Sequence, residues 1–129
     1  MYSKHYGHDR RRFMRLNVNL AVFFKVIEPA EIKQTYGVRE REASMMDISA
    51  AGCALMTSCD IPRFSLLSLR FYVFKTDSRG LVSFSDPVEA IAEVRSNIPL
   101  ENGEYRLGVS FREIRQVNQS LVEEFIVAS

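Results

Sequence analysis

The recurrence of apolar side chains at every second position is the feature that most constrains this fold. Near the start of the chain, every second residue is apolar, at Leu16, Val18, Leu20, Val22, Phe24 and Val26. Because successive side chains of a β-strand point to opposite faces, this period of two is typical of a half-buried antiparallel strand. Glu28-Pro29 interrupts the pattern, so we expect the first strand to end there.

Two later segments repeat the alternation on either side of a turn signal. Residues 88–95 and 105–112 both alternate, and the Asn102-Gly103 dipeptide between them is favoured in tight hairpin turns. We therefore expect these two segments to pair. Further strand segments, each bounded by turn residues, lie at residues 39–48, 53–57 and 66–75. About six strands result, which is enough for a small all-β barrel over residues 16–112.

The period changes near the end of the chain. Apolar residues recur there at helical spacing, at Ile114, Val117, Leu121 and Phe125, with Glu123 and Glu124 on the opposite side. The spacing predicts a C-terminal helix over about residues 114–127. A lone amphipathic helix needs an apolar surface to be stable, so we expect this one to cover an open end or side of the barrel.

Length and composition favour one soluble domain. The chain has 129 residues, of which 47% are hydrophobic and 26% are charged, and these values argue against wholesale disorder and against a coiled coil. No apolar run reaches the roughly 18 residues of a membrane span, and the N-terminus lacks the apolar stretch of a secretory signal. We therefore expect a cytoplasmic protein that does not insert into a membrane.

Positive charge is concentrated at the N-terminal end. The net charge is only +1, yet residues 1–15 carry Lys4, Arg10, Arg11, Arg12 and Arg15 against Asp9 alone. This distribution does not fit a protein coated in basic charge for duplex DNA, whereas it suits a small anionic ligand that is gripped locally. We expect no DNA binding.

The residue types that most enzymes require are poorly placed here. The only histidines, His5 and His8, lie in a polar N-terminal segment, and the two cysteines, Cys53 and Cys59, have no metal-ligand spacing. Carboxylates such as Glu89 alternate on the polar face of a strand, where solvated charge explains them. The sequence also contains no P-loop, GxGxxG or GxSxG motif. We expect no catalysis, no metal and no cofactor.

Two short segments remain as candidates for a binding site. Residues 9–15 (DRRRFMR) precede the first strand, and residues 47–52 (DISAAG) form a turn between two strands. Singly, the first is explained as a basic tail and the second as a turn stabilised by aspartate or serine. An Arg-x-x-x-Arg spacing is expected about once by chance at this arginine content, whereas [Asp/Asn]-x-Ser-x-x-Gly is expected in roughly one chain in twenty.

Together, in this order around a first strand, the two segments resemble the motifs of the PilZ domain family of bacterial cyclic di-GMP receptors. Arg11 and Arg15 match the RxxxR motif of that family. Residues 108–111 (GVSF) resemble its last strand before a terminal helix. The [D/N]xSxxG motif is matched by Asp47, Ser49 and Gly52. The resemblance extends over most of the chain.

The resemblance implies both a fold and a ligand. The fold is a six-stranded antiparallel β-barrel with a C-terminal α-helix, and cyclic di-GMP binds against one outer face with the N-terminal segment over it. The implied ligand-binding residues are Arg11, Arg15, Asp47, Ser49 and Gly52, with Arg10 and Arg12 as flanking candidates. Arg10 stands just before RxxxR. In family members that resemble this chain in having an arginine at that position, a stacked pair of ligands is bound.

The chemistry of cyclic di-GMP gives independent reasons for these residue types. Its guanines present N7 and O6 acceptors that an arginine fork meets with two hydrogen bonds, and its phosphates are anionic. The Asp47 carboxylate accepts from the guanine N1–H and N2–H groups, and the Ser49 hydroxyl donates or accepts. Gly52 provides either a backbone turn with positive φ or room for a flat base.

Several expectations follow for organisation and partners. Residues 1–9 are expected to be a flexible arm and residues 10–129 a single PilZ domain, present as a monomer or a homodimer. We expect ligand to order the segment near residues 1–15 and an unidentified downstream protein to bind that surface.

Two alternative functions remain. One alternative is a PilZ-like interaction module that does not bind nucleotide. The other is a small barrel that binds single-stranded RNA, although its candidate aromatic residues mostly fall within apolar strands: Phe23, Phe24, Phe71, Tyr72 and Phe74.

Overall fold

The structure is a computed structural model that describes residues 14–128. The expected N-terminal arm and the candidates Arg10, Arg11 and Arg12 lie outside the described residues. The described part contains eight strands: β1 (Leu16–Glu28), β2 (Arg41–Ser49), β3 (Gly52–Thr57), β4 (Leu66–Phe71), β5 (Phe74–Thr76), β6 (Val82–Phe84), β7 (Val88–Pro99) and β8 (Tyr105–Ile114). Its two helices are α1 (Ala30–Tyr36) and α2 (Gln116–Ala128).

Six of these strands close into an antiparallel barrel. Their order around the barrel is β1-β2-β3-β8-β7-β4, and β7 pairs with β8 as the predicted hairpin. The all-β barrel with a C-terminal helix is thereby confirmed. The closed order leaves none of the six with an open edge, so their backbone groups pair within the sheet.

The alternating residues of β1 show how the sequence builds the core. Val22, Phe24 and Val26 point inward and are buried, whereas Ala21 and Lys25 on the opposite face are exposed. Burying an apolar side chain of this size contributes about 1.5–3 kcal/mol, so the alternation strongly favours one register over a slip of one residue. Strand β1 ends at Glu28, immediately before Pro29, as predicted.

The chain leaves the barrel earlier than predicted after β4. The predicted strand over residues 66–75 is wrong in extent, because the barrel ladder stops at Phe71 and β5 pairs instead with β6 in a separate two-stranded sheet. Two hydrogen bonds between Val73 and Ser85 hold the chain at the point of departure. Period-two alternation continues across this break, and it therefore does not reveal the change of partner.

Helix α1 was not predicted from the sequence. It has seven residues, none of them fully buried, and Ile32 and Tyr36 on one face pack partly against the core. Two apolar residues one turn apart are too short a pattern to predict a helix from sequence. It ends at Gly37, which has φ 82°, a conformation that glycine adopts without steric cost. The hydroxyl of Tyr36 accepts from the Asp60 backbone N–H at 2.8 Å and ties the helix to the β3–β4 loop.

Helix α2 packs against the barrel with a face slightly different from the predicted one. Its buried residues are Asn118, Val122, Phe125 and Ile126. Leu121 packs partly against the core, whereas Val117 is exposed, so the prediction for Val117 is wrong. Phe125 meets Phe74 of β5 edge to face at 5.1 Å. Within residues 14–128, neither helix is long and apolar enough to cross a bilayer.

The aromatic residues considered for RNA stacking are mostly occupied within the protein. Phe24 and Phe71 are fully buried in the core, and Phe74 packs on Phe125. Arg70 covers the ring of Phe23 at 4.7 Å and donates a hydrogen bond to the Tyr72 hydroxyl. The aromatic residues considered for the RNA alternative therefore contribute mainly to contacts within the protein.

Candidate functional site

Arg15 and Asp47, one from each candidate motif, form an ion pair. The Arg15 guanidinium donates from Nη1 to Asp47 Oδ1 at 2.8 Å. The Asp47 side chain is only 10% exposed, whereas that of Arg15 is 61% exposed. The structure therefore brings together two of the predicted site residues that lie 32 positions apart in the sequence.

A third residue completes this group, and sequence reasoning missed it. Arg106 of β8 donates from Nη2 to Asp47 Oδ2 at 3.0 Å. Each carboxylate oxygen thus accepts from a different arginine. We call Arg15, Asp47 and Arg106 the Asp47 cluster. Because it has two guanidinium groups and one carboxylate, it carries one positive charge in excess.

Strand register explains how these three side chains meet on the outer face of the barrel. Asp47 of β2 pairs with Ala54 of β3, and Ala54 pairs with Gly108 of β8. Directly paired residues share a face, and Arg106 shares the face of Gly108 because it is two residues away. Ala54 and Gly108 have little or no side chain, so the Arg106 side chain extends over them to Asp47.

Arg15 reaches the cluster from the neighbouring strand. Asn17 of β1 pairs with Asp47, and Arg15 lies two residues before Asn17, just ahead of the strand. The pairing of β1 with β2 therefore sets how far Arg15 stands from the carboxylate.

Ser49 is at the end of β2, where its hydroxyl closes the β2–β3 turn. Its Oγ accepts from the Ala51 backbone N–H at 3.2 Å and donates to the Gly52 carbonyl at 3.3 Å. Ser49 is 2% exposed. The hydroxyl is therefore engaged inside the turn, and it holds the Ala50-Ala51 turn next to Asp47.

Gly52 begins β3, and its role in the fold is a close approach between strands. It is not among the described glycines with positive φ, so that part of the prediction is wrong. A Cβ at this position would collide with the backbone carbonyl oxygen of Val109 on β8. Glycine is therefore required for the β3–β8 pairing, whatever its role toward a ligand.

The turn between Ser49 and Gly52 is also tied to the rest of the barrel. The Ala51 carbonyl accepts from the Phe111 N–H of β8 at 2.9 Å. The Ala50 carbonyl accepts from Gln119 Nε2 of α2 at 3.2 Å. The first hydrogen bond connects the [D/N]xSxxG turn to β8, and the second connects it to the C-terminal helix.

Cys53 lies in the core directly behind the turn. Burial raises the pKa of its thiol, and the nearby Asp47 carboxylate raises it further. The thiol form is therefore favoured at neutral pH, and it is the thiolate that acts as a nucleophile or a metal ligand. Within residues 14–128 no group of three or more His, Cys, Asp or Glu side chains is placed to hold a metal ion.

A groove near the 47–52 turn is not lined by any residue of the Asp47 cluster. The groove has a volume of about 730 Å³ and runs between α2 and β5. Apolar residues such as Phe74, Leu121 and Ile126 line it, and Ala50 of the turn is at its edge. The candidate site is therefore an open face of the barrel that a ligand would cover from outside.

Comparison with known proteins decides the family. A family model described as PilZ domain matches residues 9–128 of the chain. The chain belongs to the PilZ domain family. The resemblance inferred from Arg11, Arg15 and the 47–52 turn is thereby confirmed, and the PilZ match covers the whole barrel and all of α2.

Solved PilZ proteins share the fold at low sequence identity. The Bacillus subtilis inhibitor of motility (MotI/DgrA) aligns with a TM-score of 0.62 at 17% identity, over 88% of this chain and 47% of its own. This chain thus spans about half the length of MotI/DgrA. The PilZ domain of Escherichia coli YcgR, solved with c-di-GMP, aligns with a TM-score of 0.55 at 12% identity, over 92% and 91% of the two chains. A comparison with curated protein sequences gave no match.

Proposed function

We propose that this PilZ domain is a receptor for cyclic di-GMP. The observation that carries the proposal is the 2.8 Å ion pair between Arg15 and Asp47, because it places residues of both family motifs on one outer face. Arg11 belongs to the same RxxxR motif, although it lies outside the described residues. That the YcgR PilZ domain was solved with c-di-GMP supports the same ligand here.

The charge of the Asp47 cluster suits this ligand. Its two arginines exceed its carboxylate by one charge, which favours a dianionic nucleotide. Arginine also meets guanine O6 and N7 with two hydrogen bonds, and the carboxylate of Asp47 accepts from the opposite edge of a guanine. The same small face therefore offers complementary groups for both the phosphates and the bases.

Binding requires Arg15 to exchange one partner for another. Its side chain is 61% exposed, so the Arg15 guanidinium is accessible to a ligand that approaches from outside. A bidentate contact between arginine and guanine discriminates against other bases by about 1–3 kcal/mol. Turning from Asp47 to the nucleotide lets Arg15 make this contact, and Asp47 keeps Arg106 as an ionic partner.

We extend the proposal to organisation and output. Residues 10–129 act as one domain, residues 1–9 as an arm, and binding takes place in the cytoplasm, where a downstream protein reads the occupied surface. Arg10 and Arg12 are additional contacts, and Arg10 favours binding of a stacked pair of nucleotides. Ser49 and Gly52 contribute through the turn that holds Asp47.

Calorimetric titration tests the proposal. Arg11→Ala and Arg15→Ala should each weaken cyclic di-GMP binding by roughly 5–150-fold, because each removes a guanidinium group that would donate hydrogen bonds to guanine or phosphate. The matched control is Arg79→Ala, which removes an exposed arginine of another ion pair, with Asp77 at 3.3 Å on the β5–β6 hairpin. Circular dichroism of each variant checks that the barrel remains folded.

Further ligands separate the alternatives. Cyclic di-AMP and GTP should bind far more weakly than cyclic di-GMP, and binding stoichiometry distinguishes one nucleotide from a stacked pair. Unchanged affinity in both arginine variants would remove Arg11 and Arg15 from the site. No binding to wild type would instead favour an interaction module, and competition by short RNA would favour the RNA alternative.

A further inference from the structure

Arg106 belongs to neither family motif, yet it is the better anchored of the two arginines on Asp47. Its backbone pairs with Met56 of β3 on one side and with Ile98 of β7 on the other. Arg15 stands before the first strand and has no such ladder. The backbone that carries Arg106 is therefore more rigidly held than the backbone that carries Arg15, although both guanidinium groups contact the same carboxylate at similar distances.

This difference matters once Arg15 turns to the nucleotide. The Asp47 carboxylate is only 10% exposed, and a largely buried carboxylate that loses its ionic partner is strongly destabilised. Arg106, which donates to Oδ2, remains available as the ionic partner of Asp47 once Arg15 has turned away. Oδ1 is then free, and Oδ2 still has a second lone pair, so both oxygens remain able to accept from a guanine edge.

We infer that Arg106 is a positioning residue of the nucleotide site. It holds the Asp47 carboxylate in place and neutralised, so that Arg15 can leave it and Asp47 can read the N1–H and N2–H groups of guanine. The inference rests on the proposed function and deepens it. In this arrangement Arg106 governs selectivity for guanine more than the total charge of the site.

The test compares cyclic di-GMP with cyclic di-IMP, in which guanine lacks its N2 amino group. Wild type should prefer cyclic di-GMP by roughly 10-fold or more, because the missing donor leaves a charged acceptor without its hydrogen bond. Arg106→Ala should lose most of this preference, and Arg106→Lys should restore part of it. Arg79→Ala, an exposed arginine from another ion pair, should keep the full preference.

An alternative role for Arg106 gives a different pattern. If Arg106 only adds positive charge, Arg106→Ala weakens both ligands by the same factor, the preference stays at its wild-type value, and the inference is overturned. Arg106→Ala binding both ligands as wild type does would overturn it too.

A second measurement needs no nucleotide. Urea unfolding of wild type, Arg106→Ala, Asp47→Ala and the double variant should show coupling between the two residues, seen as a several-fold effect on the unfolding equilibrium constant beyond the product of the single effects. Absent coupling with intact wild-type binding overturns the inference alone. Absent wild-type binding of cyclic di-GMP with coupling intact overturns the proposed function, and with it the role of Arg106 in guanine selectivity.

Discussion

At the scale of single residues, Gly52 of β3 and Gly108 of β8 each allow a close approach, but to different neighbouring groups. A Cβ on Gly52 would meet the backbone carbonyl oxygen of Val109, whereas a Cβ on Gly108 would meet the Ser96 Oγ at 2.5 Å. A serine side chain can rotate away, but a carbonyl within a β-ladder cannot move without breaking pairing. The two glycines therefore differ in how much substitution they tolerate.

We predict that Gly52→Ala destabilises the protein by about 1–3 kcal/mol or more, as overpacking against a fixed neighbour does. Gly108→Ala is the matched control and should cost clearly less. Urea unfolding followed by circular dichroism gives both values. Equal costs at the two positions would contradict the assignment of Gly52 to the close approach between β3 and β8.

Residues of the site differ in how far sequence reasoning could find them. Arg15 and Asp47 stood out because each belongs to a local pattern whose residue types suit a nucleotide. Arg106 alternates on the outer face of β8 like any surface arginine. Only the register of β2, β3 and β8 brings it to Asp47, across 59 positions. No local pattern carries that information.

At the scale of elements, one arginine joins β4 to the segment before β2. Arg70 donates to both carboxylate oxygens of Glu40, at 3.0 and 2.8 Å, and lies over the ring of Phe23 on β1. The hydrogen bond from Arg70 lowers the pKa of Glu40 below its ordinary value of 4.5. The charged form of Glu40 is therefore favoured in the folded state.

A pH dependence of stability follows from this lowered pKa. A carboxyl group whose pKa is lower in the folded state contributes stability above its unfolded pKa, and the contribution is lost as pH falls through the folded value. Glu40→Gln should therefore lower the urea midpoint slightly near neutral pH. The difference from wild type should shrink as pH falls below the ordinary pKa of 4.5 and vanish once pH is below the lower pKa of the folded state. Glu101→Gln, in the exposed β7–β8 turn, is the control. A difference that persists at low pH would show that the carboxylate charge is not responsible.

The elements that sequence analysis found and missed differ in burial. The six barrel strands alternate because one face of each lies in the core, and β1, β7 and β8 were accordingly predicted well. Strand β6 is exposed at every residue, and α1 buries none. A short element with no fully buried residue carries too little hydrophobic periodicity for pattern reasoning to detect.

At the scale of the whole molecule, ligand binding and unfolding are linked. A ligand that binds only the folded state at 100 times its Kd stabilises that state by about 2.7 kcal/mol. For a domain of this size we predict that saturating cyclic di-GMP raises Tm by on the order of 10 °C. Arg15→Ala at the same nucleotide concentration should show much less of this shift. A thermal melt with and without nucleotide measures both, and an equal shift in the variant would exclude Arg15 from the site.

The β1–β2 pairing of Asn17 with Asp47 also limits how the segment ahead of the barrel can vary in length. Inserting a single residue between Arg15 and Leu16 would rotate the guanidinium to the inner side of the sheet, since extended chain alternates in direction. Inserting two would restore its direction but set it back by about 7 Å, beyond hydrogen-bonding distance of the carboxylate. In related chains, insertions and deletions should therefore lie before Arg11 or between β1 and β2. The short stretch from Arg15 to Asn17 should keep a constant length.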